Sequence, residues 1–181
     1  LAAQTGAAPA TVHAAARGGA VVVVAIPLRN VADLPPDLFA QVPAGVVVID
    51  TCNYYPRTRD GRITAIEDGM VESRWVASCL GRPVIKAFNN IHAGILEHGG
   101  LPPDAPNRIA LPVAGDDPAA KAQVLALVDA LGFDPVDAGG LDQSWRQQPG
   151  TPVYASDLDA AGVRRALAAS SPERLPAWRA G

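Results

Sequence analysis

Five stretches of the chain are apolar without alternation. Ala20–Pro27 reads AVVVVAIP, Gly45–Asp50 reads GVVVID, Pro83–Phe88 reads PVIKAF and Arg108–Gly115 reads RIALPVAG, with a weaker fifth, DPVDAGG, at Asp134–Gly140. Continuous β-branched runs of this length predict strands buried on both faces, as in a parallel sheet. Helical periodicity falls between them. In Asp116–Gly132, Asp117 is placed to cap a helix, Pro118 fits its first position, Val124, Leu127, Val128 and Leu131 share a face, and Gly132 fits the stop. Asp68–Leu80 carries Val71, Trp75 and Cys79 on one stripe, and Asp157–Ala169 turns Val163, Ala166 and Leu167 inward. Val31–Gln41 is a weaker helical stretch, interrupted by Pro35 and Pro36, and Leu101–Pro106 reads as a loop. Strands alternating with helices predict an α/β fold with a doubly wound, mostly parallel sheet.

Composition agrees with buried strands under helices. Hydrophobic residues make up 49% of the 181 and charged residues 18%, while aromatics are only 5%, so the core is expected to rest on Ala, Val and Leu. The net charge of −3 comes without a basic stripe, which argues against nucleic acid and acidic membrane surfaces as partners. No run is long enough for a membrane span and no signal-peptide pattern opens the chain, so a cytoplasmic location is expected. Cys52 and Cys79 are too few for a disulfide framework and fit no metal motif. The first residue is Leu1, which raises the expectation that the sequence starts inside a longer protein.

In open parallel sheets, ligands bind beyond the carboxyl ends of the strands. The residues there are Ala25, Ile26 and Pro27 at the first run, Asp50, Thr51, Cys52 and Asn53 at the second, and Ala87, Phe88, Asn89, Asn90, Ile91 and His92 at the third. Small and amide residues can lie against a flat ring or bond its substituents; they also simply stop strands and make turns. The phosphate motifs G-x-G-x-x-G and G-x-x-x-x-G-K-[ST] do not occur, and Gly18-Gly19 precedes a strand instead of following one. His92 and His98 have the wrong spacing for paired metal ligands, so no metal site is expected. Cys52 has no neighbour that would lower its pKa and reads as an inert buried thiol. Lys86 lies inside an apolar run, where it either snorkels to an edge or serves as an acid.

Several stretches together resemble one family. VVVVAIP, GVVVIDTCN and PVIKAFNNIHA, with the more specific LPVAGDDPAAKAQVLALVDALGFDPVDAGGL (Leu111–Leu141), are similar to the NADP-binding domain of the F420-dependent NADP oxidoreductases and to the reductase domain of the STEAP metalloreductases. SWRQQPGTPVY (Ser144–Tyr154) looks like the continuation in the related bacterial dinucleotide-binding enzymes. The resemblance implies a Rossmann-like domain lacking its first β-α-β segment, by about 30 to 40 residues. Residues 1–169 would then be an incomplete NAD(P)-binding domain and 170–181 a flexible tail.

The family likeness implies NADP as cofactor and F420 or a flavin as acceptor. A glycine-rich turn outside these 181 residues would hold the pyrophosphate, and a preceding strand end the 2′-phosphate. Ala25, Ile26, Pro27, Thr51, Asn53, Ala87 and Asn89 would border the cofactor, and Ile91, His92 and Ala93 the acceptor. No catalytic side chain is implied, since the cofactors carry a hydride between rings. Reduction of a small carbonyl would instead need a proton donor, with Lys86, His92, Tyr54 or Tyr55 as candidates. A non-catalytic dinucleotide-binding module is the third option. The partners expected are a small-molecule cofactor and acceptor, with a homodimer left open.

Overall fold

The computed structural model describes residues 2–181. Two short helices, α1 (Ala2–Thr5) and α2 (Val12–Gly18), lead into β1 (Val21–Val24). A 3-10 turn at Leu28–Asp33 leads on to β2 (Val47–Asp50). α3 (Thr64–Glu67) and α4 (Glu72–Leu80) lead to β3 (Ile85–Lys86), and α5 (Ala93–His98) and a loop to β4 (Ala110–Val113). α6 (Pro118–Ala130) connects β4 to β5 (Asp134–Asp137). A 3-10 segment at Leu141–Gln147 and α7 (Ala160–Ala169) follow.

The expected mostly parallel sheet is present. β1, β2 and β3 pair in parallel, with Val24 opposite Asp50 and Asp50 opposite Lys86. β4 and β5 form a second parallel pair. One antiparallel bridge joins the two, the amides of Lys86 and Ala114 bonding each other's carbonyls at 2.8 and 3.0 Å. Among the described residues β1 has a strand on one side only, and Val23 is 53% exposed on that edge.

The two-residue period of a strand assigns each side chain to a layer. Val47 and Ile49 pack with Ile85, Leu111, Val113, Val124, Val128 and Phe133 on the α6 side. Val48 packs with Leu28, Val31, Val76 and Leu80 on the α4 side. β4 likewise turns Leu111 and Val113 toward α6 and Ala110 and Ala114 toward α7. Helices therefore cover both faces, as a doubly wound sheet requires.

α6 forms as its sequence predicts. The Asp117 carboxylate accepts from the amides of Ala119 and Ala120, Pro118 opens the helix, and Gly132 follows its end at φ +91°. A side chain at Gly132 would also strike the backbone of Gly100, so glycine is needed there twice over. On that helix Val124 and Val128 are buried, but Leu131 is 45% exposed. α4 starts later than expected, and its buried face is Glu72, Ser73, Val76 and Leu80, with Trp75 and Cys79 half-buried beside it. The stripe reading weighted apolar residues and so missed two polar residues with buried partners. Residues 170–181 were expected from composition to be a flexible tail; they carry a 3-10 turn at Pro176–Trp178 and specific side-chain contacts described below.

Candidate functional site

Parity puts two charges side by side in the interior. Asp50 closes β2 and Lys86 closes β3; both fall on the α4 face, directly paired across the ladder, and both are fully buried. Lys86 Nζ donates to Asp50 Oδ2 at 3.2 Å and to the Cys52 carbonyl. Ser73 on α4 donates to the same carboxylate oxygen at 2.8 Å, and the Cys52 amide donates to Oδ1 at 2.8 Å. The expectation that Lys86 snorkels to an edge is therefore corrected: strand parity and an anionic partner hold it inside. It fixes the turn after β2. That turn also bonds back to β1, where Thr51 Oγ1 donates to the Val24 carbonyl at 3.1 Å.

A second network joins the ends of β2 and β3. Asn53 Nδ2 donates to the Asn89 carbonyl at 2.9 Å, and Asn89 Nδ2 returns a bond to Asn53 Oδ1 at 3.0 Å. Asn89 also bonds Gln147 both ways, to its carbonyl at 2.7 Å and from its amide at 3.0 Å. Beside it, both polar atoms of the buried Asn90 side chain lack a protein partner.

Of the residues expected to border a ligand, Ala25 is exposed, and Ile26, Pro27, Thr51 and Asn53 are half-buried. Asn89 is buried, and Ala87 has no exposed surface, so it acts only by packing. Ile91 is half-buried, while His92 and Ala93 are exposed. His92 caps α5, its Nδ1 accepting from the Gly94 amide at 3.3 Å. The structure brings Asn53 and Asn89 into contact and ties Thr51 to the end of β1; it places His92 and Ala93 outward on the next helix.

Of the four candidate proton donors, Lys86, Tyr54 and Tyr55 are engaged elsewhere. Tyr54 is fully buried, its hydroxyl bonded to the Gly61 carbonyl, Glu67 and the Ile63 amide, and burial raises its pKa. Tyr55 is bonded hydroxyl to hydroxyl with Tyr154, whose own pKa is pushed up by burial and then by that bond. Burial and the adjacent Asp50 push the Cys52 thiol up to about 12, as an inert thiol requires. Glu72, buried on α4, accepts from the Tyr54 amide at 3.1 Å and from Arg174 at 2.9 Å. Its pKa is raised by burial, against the pull of Arg174 and Lys86. Among the described residues no three His, Cys, Asp or Glu side chains gather as metal ligands would. Among the described residues, no helix is long and apolar enough to cross a membrane.

Sequence reasoning missed Ser73, Glu72, Gln147 and Arg174. Gln147 lies 58 positions from Asn89 and Arg174 lies 102 from Glu72, so no local spacing could join them. Asp50 and Ser73 carried a usable signal, since a polar residue inside a buried stretch demands a partner.

The first strand ends in small residues, and the neighbouring ends carry amides, including an unpartnered buried one. After β1 the chain continues through Pro27 into a 3-10 turn, not through glycines into an α-helix N-terminus.

No known family's sequence profile matches the chain. The "Putative protein YjhV" of Escherichia coli (strain K12) is 47% identical over 73 residues, which are 40% of this chain and 53% of that protein. The match thus takes in about half of that relative's length. Among solved structures, the hypothetical protein SMa0349 from Sinorhizobium meliloti aligns with a TM-score of 0.63 at 30% identity, over 78% of this chain and 67% of that one. A structure named as a "putative F420 dependent NADP-reductase" from Arthrobacter sp. FB24 aligns with a TM-score of 0.58 at 20% identity, over 75% of this chain and 62% of that one.

Proposed function

From the premise that this chain belongs to one family with the Sinorhizobium meliloti protein and shares its fold with the Arthrobacter one, we propose that it forms the nicotinamide side of an NADP-dependent oxidoreductase. The acceptor in this reading is the deazaflavin F420 or a flavin. The observation that carries it is the convergence of three strand ends at the carboxyl edge of one parallel sheet. Thr51 ties β2 to β1, and Asn53 with Asn89 ties β2 to β3. Such an edge is where open α/β sheets receive a dinucleotide.

Bound NADP and the acceptor supply the hydride chemistry. The chain's residues position and exclude. Ala25, Ile26 and Pro27 offer a low wall against which a ring can lie, with Thr51 and Asn53 beside it. The buried Asp50–Lys86 pair and the Asn53–Asn89–Gln147 network hold that wall rigid, which sets the distance between two rings. Ile91, His92 and Ala93 flank the acceptor side. Three of the four candidate donors for carbonyl reduction, Lys86, Tyr54 and Tyr55, are already engaged, which leaves exposed His92 as the candidate that reaction would need.

The 181 residues contain no phosphate-cradling turn, so this reading assigns the pyrophosphate to a glycine-rich strand-turn-helix of a longer parent. The chain alone then binds NADP weakly and is inactive. The test is NADPH oxidation by the parent against F420, FMN and simple carbonyls in turn. Transfer to F420 or FMN supports the reading. Dinucleotide binding without transfer to any acceptor favours a non-catalytic module, a reading that the absent anion site also supports for the chain by itself.

A further inference from the structure

The final segment crosses the flank of this crevice. After α7, residues 170–181 run back over the molecule without joining the sheet. Trp178 lies against two tyrosines, 5.8 Å from the Tyr55 ring and 6.4 Å from the Tyr154 ring. Tyr55 lies in the loop after β2, and Tyr154 in the segment between Gln147 and α7. Tyr55 is two residues beyond Asn53, and Arg59 both bonds the Asn53 carbonyl and covers the Tyr55 ring at 4.8 Å. Tyr154 precedes Ala155, whose amide bonds the Asn90 carbonyl at 2.9 Å. The Tyr55–Tyr154 pair thus bridges the loops after β2 and β3, and the indole covers the bridge.

The seat for that indole is specific. Gly150 sits at φ +89°, and any Cβ there would meet the Trp178 ring. The rest of the hold is polar and sparse. Arg57 donates to the carbonyls of Pro176 and Arg179 at 2.9 and 3.0 Å, and the Ala180 amide donates to Glu67 at 2.9 Å. Arg174 anchors the root of the segment to buried Glu72. Between root and tip the segment roofs a cavity of about 330 Å³, floored by Ile66, Trp145 and Gln148. The tip is held by Arg57, by the Trp178 indole and by the Ala180–Glu67 bond, and none of these residues belongs to a strand.

We propose that residues 170–181 are a strap whose Trp178 plugs the Tyr55–Tyr154 flank of the candidate site, beside Asn53 and Asn90. Release of the strap frees the Tyr55 and Tyr154 faces, with Arg59 beside them, for a flat heteroaromatic ring. This inference rests on the acceptor reading above and adds a gate to it. Arg57 is the latch, Gly150 the seat and Trp178 the plug.

Two variants test it, Arg57→Ala and Trp178→Ala, each checked for native circular dichroism. Amide hydrogen exchange over residues 174–181 is compared with the native protein, and FMN and F420 binding are measured by equilibrium dialysis. Arg57→Ala is expected to speed exchange at Trp178, Arg179 and Ala180 about tenfold, and both variants to bind the ring compound several-fold more tightly. FMN added to the native protein is expected to speed exchange in the same amides. Unchanged exchange in Arg57→Ala, or protection of those amides by FMN, overturns the strap. Equal ring affinity in all three proteins overturns the plug and leaves the acceptor reading standing. No ring binding by any of them overturns that reading, and the plug with it.

Discussion

Replacing Lys86 with methionine removes one charge from the interior while keeping most of the side-chain volume. Asp50 would keep the Ser73 hydroxyl and the Cys52 amide but lose its cationic partner, and the Cys52 carbonyl would lose its buried donor. Glu72, which Lys86 also attracts, would keep Arg174. Breaking a buried pair by deleting one partner costs about 3–5 kcal/mol, because the survivor stays desolvated. For a chain of this size each kcal/mol lowers Tm by about 2–4 °C, which gives a fall of about 6–20 °C. Urea denaturation followed by tryptophan fluorescence and circular dichroism would read the loss directly, with the m-value as a check on the two-state assumption. Adding Asp50→Asn should restore part of it, since an asparagine can still accept from the Cys52 amide and bond Ser73 without a charge. A loss below about 1 kcal/mol, or a double variant weaker than Lys86→Met alone, would refute the account of a charge held by its partner.

Three further outcomes follow from the site. At pH 8, iodoacetamide should modify half-buried Cys79 and spare Cys52 until the protein unfolds; comparable rates by peptide mapping would contradict the inert-thiol assignment. Glu72 takes up its proton more readily when folded than when unfolded. Its contribution to stability is therefore fully present below the ordinary glutamate pKa of about 4.3 and declines as pH rises toward the folded value. The stability of the native protein minus that of Glu72→Gln should fall between pH 4 and pH 8, and a flat or rising difference would count against it. Asn89→Leu removes the donor to Asn53 Oδ1 and the Gln147 carbonyl and an acceptor of buried Gln147 Nε2, and should cost about 2–4 kcal/mol, whereas His92→Leu on the exposed cap should stay within about 0.5 kcal/mol. In the parent, His92→Leu should lower acceptor turnover more than NADP affinity; equal effects on both would remove His92 from the acceptor side.

The fold was largely legible because its signals are local. Four of the five apolar runs have the length and lack of alternation of central strands, and each contains one. Asp117, Pro118 and Gly132 mark the ends of α6 within a few residues of their sequence neighbours. The site was legible only as a set of places. That Asp50 and Lys86 pair, that Ser73 serves them and that Gln147 completes the amide network all depend on register and on contacts between distant segments. The tail shows the same limit. Its proline, serine and charged composition predicts disorder, and what positions it is one indole, one glycine seat and one arginine latch supplied from elsewhere in the chain.

The open side of β1 carries a consequence beyond the site. Alternate residues of the four-valine strand present amide and carbonyl groups there without a neighbouring strand among the described residues, and the side chain of Val23 is 53% exposed. No lysine, proline or bulge interrupts the strand, the usual guards against edge-to-edge growth. In isolation, such an edge is a template for its own kind. The 181-residue chain should therefore show concentration-dependent β-rich association, nucleated at residues 21–24, and any protein segment that pairs with that edge would act as a chaperone for the whole domain.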